Sequence, residues 1–233
     1  TALLAKGSGA DVVAVMNIYA NSPYGMYWLK SSGIKTAKDF AGRKIGNPPG
    51  DAARQMWPAL AKAVGIAPDS VTWVNIDPNA KLAALKSKNI DLTTSFYNIH
   101  FIFQNVLGED MGFLPWRDHG INPYGNSIIV NGKFLAENRD AVEKFVKITQ
   151  KAYADCVTAP QPCIDALVKA NSGLKTDSSM KNWELVTELM NDETSRTVSL
   201  GHFDDTRMGN DYTMVETYFS LKKPFDVKGA YSN

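Results

Sequence analysis

The chain has 233 residues, 44% of them apolar, with 25 basic against 24 acidic side chains and a net charge of +1. That size holds one large domain or two small ones, and the even charge balance gives neither a nucleic-acid footprint nor a membrane-seeking basic face. No run of about eighteen apolar residues occurs, so no transmembrane span is expected.

Thr1–Lys6 reads as the middle of a helix that ends at Gly7, followed by a strand over Asp11–Met16. An uncapped helix is an unusual opening for a fold. The first strands of this domain are therefore expected to lie before Thr1.

Asn21-Ser-Pro-Tyr24-Gly25 comes next and returns later as Asn122-Pro-Tyr124-Gly125; a strand-like run follows each copy, at 26–29 and at 127–130. The echo brackets a self-contained stretch. It predicts a chain that leaves one lobe at the first copy and returns at the second, with two strands crossing side by side as a hinge. A chance repeat of a common turn is the alternative.

Between the copies, 39–98 alternates strand and helix. Strands are expected at 43–46, 71–76 and 92–96. Helices are expected from about Ala52 to Val64, stopped by Gly65, and from Asp77-Pro78 to about Lys88. This spacing implies parallel strands with right-handed crossovers, whose ligands sit at the carboxyl ends of the strands. Two turns are thus singled out. At Asn47-Pro-Pro-Gly-Asp51, N–H groups at the helix start, with Ala52 in its first turn, can hold an anion or a polar ligand edge, and Gly50 allows close approach. Asp51 can equally cap that helix itself, which leaves a poor home for a carboxylate or sulfonate and favours a ligand with a donor or a positive group. Pro58 is expected to kink the helix.

At the second turn, Tyr97 and Asn98 are expected to face a ligand, by stacking and hydrogen bonding; a helix cap is the other role open to Asn98. Trp116 is expected to wall the pocket, with Arg117 able to pair an anion. Tyr24, Tyr124 and Asn126 lie at the proposed hinge, where packing is the alternative to ligand contact. Trp28, Trp57, Trp73 and Trp183 fall on apolar faces and read as core. His100, His119 and His202 have no metal-site spacing, and Asp204 or Asp205 reads as the cap of a C-terminal helix. No nucleophile elbow, phosphate loop or dinucleotide fingerprint is present.

Cys156 and Cys163 are the only cysteines, at the end of one helical pattern and the start of the next, with Pro160 and Pro162 between them. A disulfide across this turn is expected, which would argue for an oxidising compartment. Two separate buried thiols are the alternative.

The run Ser32-Gly-Ile-Lys-Thr-Ala-Lys-Asp-Phe-Ala-Gly-Arg-Lys-Ile-Gly46, then Pro49-Gly50, then Leu82, Leu85 and Asp91, resembles the NMT1/THI5-like group of solute-binding proteins. The segment 127–142 is similar to their return segment. The resemblance implies an α/β, two-lobed, type II periplasmic-binding-protein fold with the N-terminal part of lobe I absent. On this reading lobe I comprises 1–24 and 125–233, the hinge and connection 25–43, and lobe II 44–124. It implies a receptor that is periplasmic, or extracytoplasmic and membrane-anchored, with a signal peptide in its precursor, that captures a small organic solute between the lobes and delivers it to ABC permease subunits. The solute is expected to be flat and partly aromatic or pyrimidine-like, the receptor a monomer, and no cofactor is needed. Two alternatives stand: an enzyme of the THI5-like pyrimidine-synthase type, and the sensory module of a larger receptor.

Overall fold

The computed structural model describes residues 2–219 and 221–233 and divides the chain into two units. Unit 1 combines the residues up to Asn21 with Pro123–Asn233, and unit 2 is Ser22–Asn122.

Among the described residues, unit 2 is built on five strands: β2 (Tyr24–Leu29), β3 (Lys44–Asn47), β4 (Thr72–Asn75), β5 (Leu92–Phe96) and β6 (Met111–Pro115) follow β1 (Val12–Asn17) of unit 1 in chain order and lie as β4-β3-β5-β2-β6. β3 pairs parallel with β4 and β5, whereas β2 pairs antiparallel with β5 and β6. The sheet is therefore mixed. β2 hydrogen-bonds on both edges and is buried along nearly its whole length, which explains the unbroken apolar run Met26-Tyr-Trp-Leu29. The connection expected at 25–43 is corrected accordingly, because its first strand is an inner strand of this sheet.

α2 (Ala52–Val64) buries Ala53, Met56, Trp57, Leu60, Ala61 and Val64, a helical spacing, and ends on Gly65 at φ +76. Pro58 is accommodated inside it. α3 (Lys81–Lys86) is shorter than the pattern suggested. Asp77 caps a 3-10 turn at Pro78–Ala80, and the chain reverses at Lys88 with φ +60. α4 (His100–Leu107) packs Phe103 and Leu107 against Tyr27 and Leu29. Gly112 is required in β6 because the Trp28 indole lies where a Cβ would stand.

Unit 1 pairs β1 (Val12–Asn17) antiparallel with β7 (Ser127–Asn131), with a register shift between Ala14 and Met16. The two runs that follow the echoed turns are thus in separate sheets, while the echoed segments themselves lie side by side: the Gly125 N–H donates to the Tyr19 carbonyl, and the Ser22 N–H donates to Asn122 Oδ1 at 2.7 Å. α1 (Ala2–Gly7) precedes β1, and α5 (Gly132–Glu137), α6 (Arg139–Thr158), α7 (Pro160–Ala170), α8 (Thr176–Met190), α9 (Glu193–Thr197) and α10 (Asp205–Tyr218) complete the unit. Asp204 caps α10 through the Arg207 N–H. No described helix is long and apolar enough to cross a membrane.

Cys156 and Cys163 form a disulfide that joins α6 to α7. Trp183 of α8 donates its indole N–H to the Cys156 carbonyl at 3.1 Å and packs on Tyr153. Closing so short a loop should contribute about 2–3 kcal/mol through the unfolded chain. Chemical denaturation with and without reductant is expected to show that loss. An unchanged midpoint would mean that the packing around Trp183 holds this corner by itself.

Candidate functional site

The carboxyl ends of β3 and β5 are fastened by Asn47. Its side-chain N–H donates to Thr94 Oγ1 at 2.6 Å, and its Oδ1 accepts from the Thr94 N–H at 3.2 Å and from Thr93 Oγ1 at 3.3 Å. Asn47 is fully buried, and its amide orders the strand ends. The turn that follows delivers Asp51. Gly50 is exposed with open space around it, and Ala52 is partly buried in the first turn of α2.

Asp51 does two things at once. Oδ1 accepts the Ala53 N–H at 2.9 Å and caps α2, while Oδ2 accepts from Lys81 Nζ at 2.9 Å. Both side chains are largely buried, at 18% and 12% exposure. Lys81 Nζ also donates to the Thr94 carbonyl at 3.0 Å. A lysine at the start of a helix opposes the helix dipole, so its pairing with Asp51 and β5 accounts for its position better than helix stability does. Sequence reading missed Lys81. A lone lysine after Asp77-Pro-Asn-Ala carries no local signal, and its partner lies thirty residues away.

Tyr24 stands opposite Phe96 in the β2–β5 register, edge to face at 5.2 Å, and packs on Trp116 at 5.6 Å. Burial, reinforced by the Asp51 carboxylate, pushes its hydroxyl up to about 12. Tyr24 is therefore a neutral O–H donor at physiological pH. Trp116 is fully buried, and its indole N–H has no partner. It opens a 3-10 turn, Trp116–His119, and sits behind Tyr24. Trp116 thereby supports the Tyr24 ring from behind.

The structure brings Tyr97 to the same end of β5. Its N–H donates to the Pro23 carbonyl at 2.7 Å, its ring stacks on Phe113 at 5.8 Å, and the Arg117 guanidinium lies 4.7 Å from the ring centre. Arg117 is thus placed on an aromatic face. Asn98 is partly buried in the 3-10 turn Tyr97–Ile99. Tyr24, Asp51, Lys81, Phe96 and Tyr97 together make a rim at the strand ends of unit 2, with a neutral donor, a charge pair and aromatic faces.

Tyr124 and Asn126 belong to unit 1. Tyr124 is already engaged there: its N–H donates to Asp211, its hydroxyl accepts from the Asp204 N–H at 2.9 Å, and its ring packs on Phe203. The Asn126 carbonyl accepts from the N–H groups of Ile18 and Tyr19, and its side chain is exposed. Unit 1 also carries an open groove of about 330 Å³ over Val15, Leu135, Val142 and Val146, which none of the predicted site residues lines. Among the described residues, no group of three or more His, Cys, Asp or Glu side chains could hold a metal ion.

A sequence-family model described as NMT1/THI5 like matches residues 1–162. A Brucella abortus protein, named only as a candidate binding protein, is 24% identical over 214 residues, covering 87% of this chain and 63% of its own length. A 4-amino-5-hydroxymethyl-2-methylpyrimidine phosphate synthase of Legionella pneumophila is 26% identical over 178 residues, 74% of this chain and 55% of that one. A riboflavin-binding protein of Chloroflexus aurantiacus is 25% identical over 243 residues, 99% of this chain and 66% of that one. The chain thus spans less than two thirds of these relatives' lengths. The solved periplasmic aliphatic sulphonate binding protein of Escherichia coli matches with a TM-score of 0.75 at 15% identity, over 99% of this chain and 72% of that one, a likeness of fold.

Proposed function

Because this chain belongs to the NMT1/THI5-like family, we propose that it is the solute-capturing part of an extracytoplasmic receptor serving an ABC importer. The observation that carries this reading is the rim at the carboxyl ends of β3 and β5, where Tyr24 packs on Phe96 and Lys81 ties Asp51 to the Thr94 carbonyl. This is the edge at which α/β sheets of this kind take their ligands. Aromatic faces beside a few fixed polar groups suit a flat, partly aromatic organic solute. The riboflavin-binding relative supports that class. The disulfide supports an oxidising, periplasmic location, and the solute's onward partner would be the importer's permease subunits.

Native mass spectrometry of the purified protein is expected to show one small organic molecule per chain, released intact on denaturation. The Legionella synthase relative favours a second reading, an enzyme. Under that reading the recovered molecule would be chemically altered on incubation, and one that stays unaltered would reject it. A protein that never carries a solute would reject the receptor.

On the receptor reading, Tyr24→Phe removes one donor and keeps the ring on Phe96 and Trp116. Calorimetry with the recovered solute should show a loss of about 1–2 kcal/mol, with the melting temperature held. Tyr97→Ala should weaken binding by about 1–3 kcal/mol, the scale of a lost stacking face. Undiminished affinity in both variants would place the solute elsewhere.

A further inference from the structure

The start of a helix ordinarily attracts anions, because its free N–H groups and the aligned peptide dipoles carry partial positive charge. In this protein that position is already taken by the chain's own carboxylate. Asp51 receives the Ala53 N–H with one oxygen and the Lys81 ammonium with the other. Lys81 in turn spends a second proton on the Thr94 carbonyl, which leaves it one N–H. Arg54, in the first turn of α2, is turned to Asn75 Oδ1 at 2.6 Å and to the Trp73 ring. The Asp51–Lys81 pair therefore carries no net charge, and the Arg54 charge is held at Asn75 and the Trp73 ring. The α2 end of the rim presents a fixed acceptor, the Asp51 carboxylate, beside fixed donors, the remaining Lys81 N–H and the Tyr24 hydroxyl.

An incoming sulfonate or carboxylate would meet the Asp51 carboxylate at close range in a poorly hydrated site, where like charges repel strongly. An uncharged group with an N–H beside a carbonyl meets a matching acceptor and donor. We infer that the Asp51–Lys81 pair is the specificity determinant of this site, admitting an uncharged solute with an amide-like edge and rejecting anions. The inference rests on the receptor reading above and adds to it a residue role and a charge class.

Two flat aromatic probes of similar size separate the alternatives: benzamide, uncharged with an amide edge, and benzenesulfonate. Each is titrated by ligand-observed NMR into the wild-type chain, Asp51→Asn, and the double variant Asp51→Asn/Lys81→Met. Asparagine is as good a helix cap as aspartate, so the fold is expected to persist, and circular dichroism checks it. The wild type should prefer benzamide. Asp51→Asn frees the Lys81 charge and should shift the preference toward benzenesulfonate by about tenfold or more, the scale of one charge-assisted contact. The double variant should lose that gain. Arg117 is the cation to which an anion would otherwise turn. Wild-type protein that takes benzenesulfonate as readily as benzamide overturns the inference. So does an unchanged preference in Asp51→Asn, or the failure of every variant to bind either probe. The receptor reading is judged separately, by whether a solute co-purifies. An anionic co-purified solute would keep the receptor and remove the filter.

Discussion

Replacing Arg207 with alanine is expected to cost about 3–5 kcal/mol, the loss that follows when one partner of a largely buried charge pair is removed. Arg207 sits in the first turn of α10 and its side chain fastens Asp192, Ala20 and Tyr124. Nη1 donates to Asp192 Oδ2 at 2.7 Å, Nη2 donates to the Ala20 carbonyl at 2.6 Å, and the guanidinium lies 4.1 Å from the centre of the Tyr124 ring. The charge pair is mostly shielded, at 24% and 14% exposure. Ala20 and Tyr124 flank the two points at which the chain leaves and re-enters unit 1. One planar cation therefore holds both crossing segments, through a hydrogen bond on one side and a ring face on the other. Alanine would leave the Asp192 carboxylate and the Ala20 carbonyl short of a donor. Lysine should recover only part of the loss, because a point charge cannot fork between two acceptors and also lie flat on a ring. Urea denaturation of the wild type, Arg207→Ala and Arg207→Lys gives the ordering. A loss under about 1 kcal/mol in the alanine variant, within the range of ordinary surface pairs, would refute the clasp.

This clasp was not legible in the sequence, and the reason is range. Arg207 and Asp211 stand four apart in a polar stretch that reads as a solvated helix face, yet their partners Ala20 and Tyr124 are 187 and 87 residues away. What is local was readable. The bounds of α2 and β5 match the expected ones, because a cap, a Gly stop and an apolar period all lie within the segment itself. The Asp51 cap was anticipated for the same reason. β2 was seen as a strand, but its place between β5 and β6 was not, since burial on both faces leaves no alternation to show which neighbours it has. At the candidate rim, the two turns, Tyr24 and Tyr97 were singled out from the sequence, and Phe96 was not. Sequence did not supply Lys81, which determines the charge at α2, nor the burial that makes Asn47 and Trp116 supports. The comparison with the Escherichia coli protein speaks for the fold at 15% identity, and the charge pattern at α2 belongs to this chain's own residues.

Asp211 is expected to make the protein less stable as the pH rises from about 4 to about 7, opposite to the usual effect of a paired carboxylate. The side chain is 8% exposed and its Oδ2 accepts the Tyr124 N–H at 2.8 Å. Burial pushes its pKa from the ordinary 3.8 up to about 7, against the opposing pull of the Tyr124 N–H and the nearby Arg207 charge. A carboxyl raised in the folded state binds its proton more tightly there than in the unfolded chain. Between about pH 4 and pH 7 the folded state thus holds more protons, and stability falls as pH rises, levelling off above the folded pKa. A shift of this size corresponds to about 4 kcal/mol across that window. Asp211→Asn keeps an oxygen that can accept the Tyr124 N–H and carries no charge to desolvate. The variant should match the wild type near pH 4 and exceed it progressively toward pH 8, where the gain approaches about 4 kcal/mol. Taking the difference between variant and wild type at each pH cancels the titration of the other groups. Urea denaturation at pH 4.5, 6 and 8 provides the three points. A difference that stays flat with pH would mean that Asp211 is not the group being desolvated. A variant less stable than the wild type at pH 8 would mean that the ionised carboxylate, held by Tyr124 and Arg207, stabilises the re-entry of the chain into unit 1.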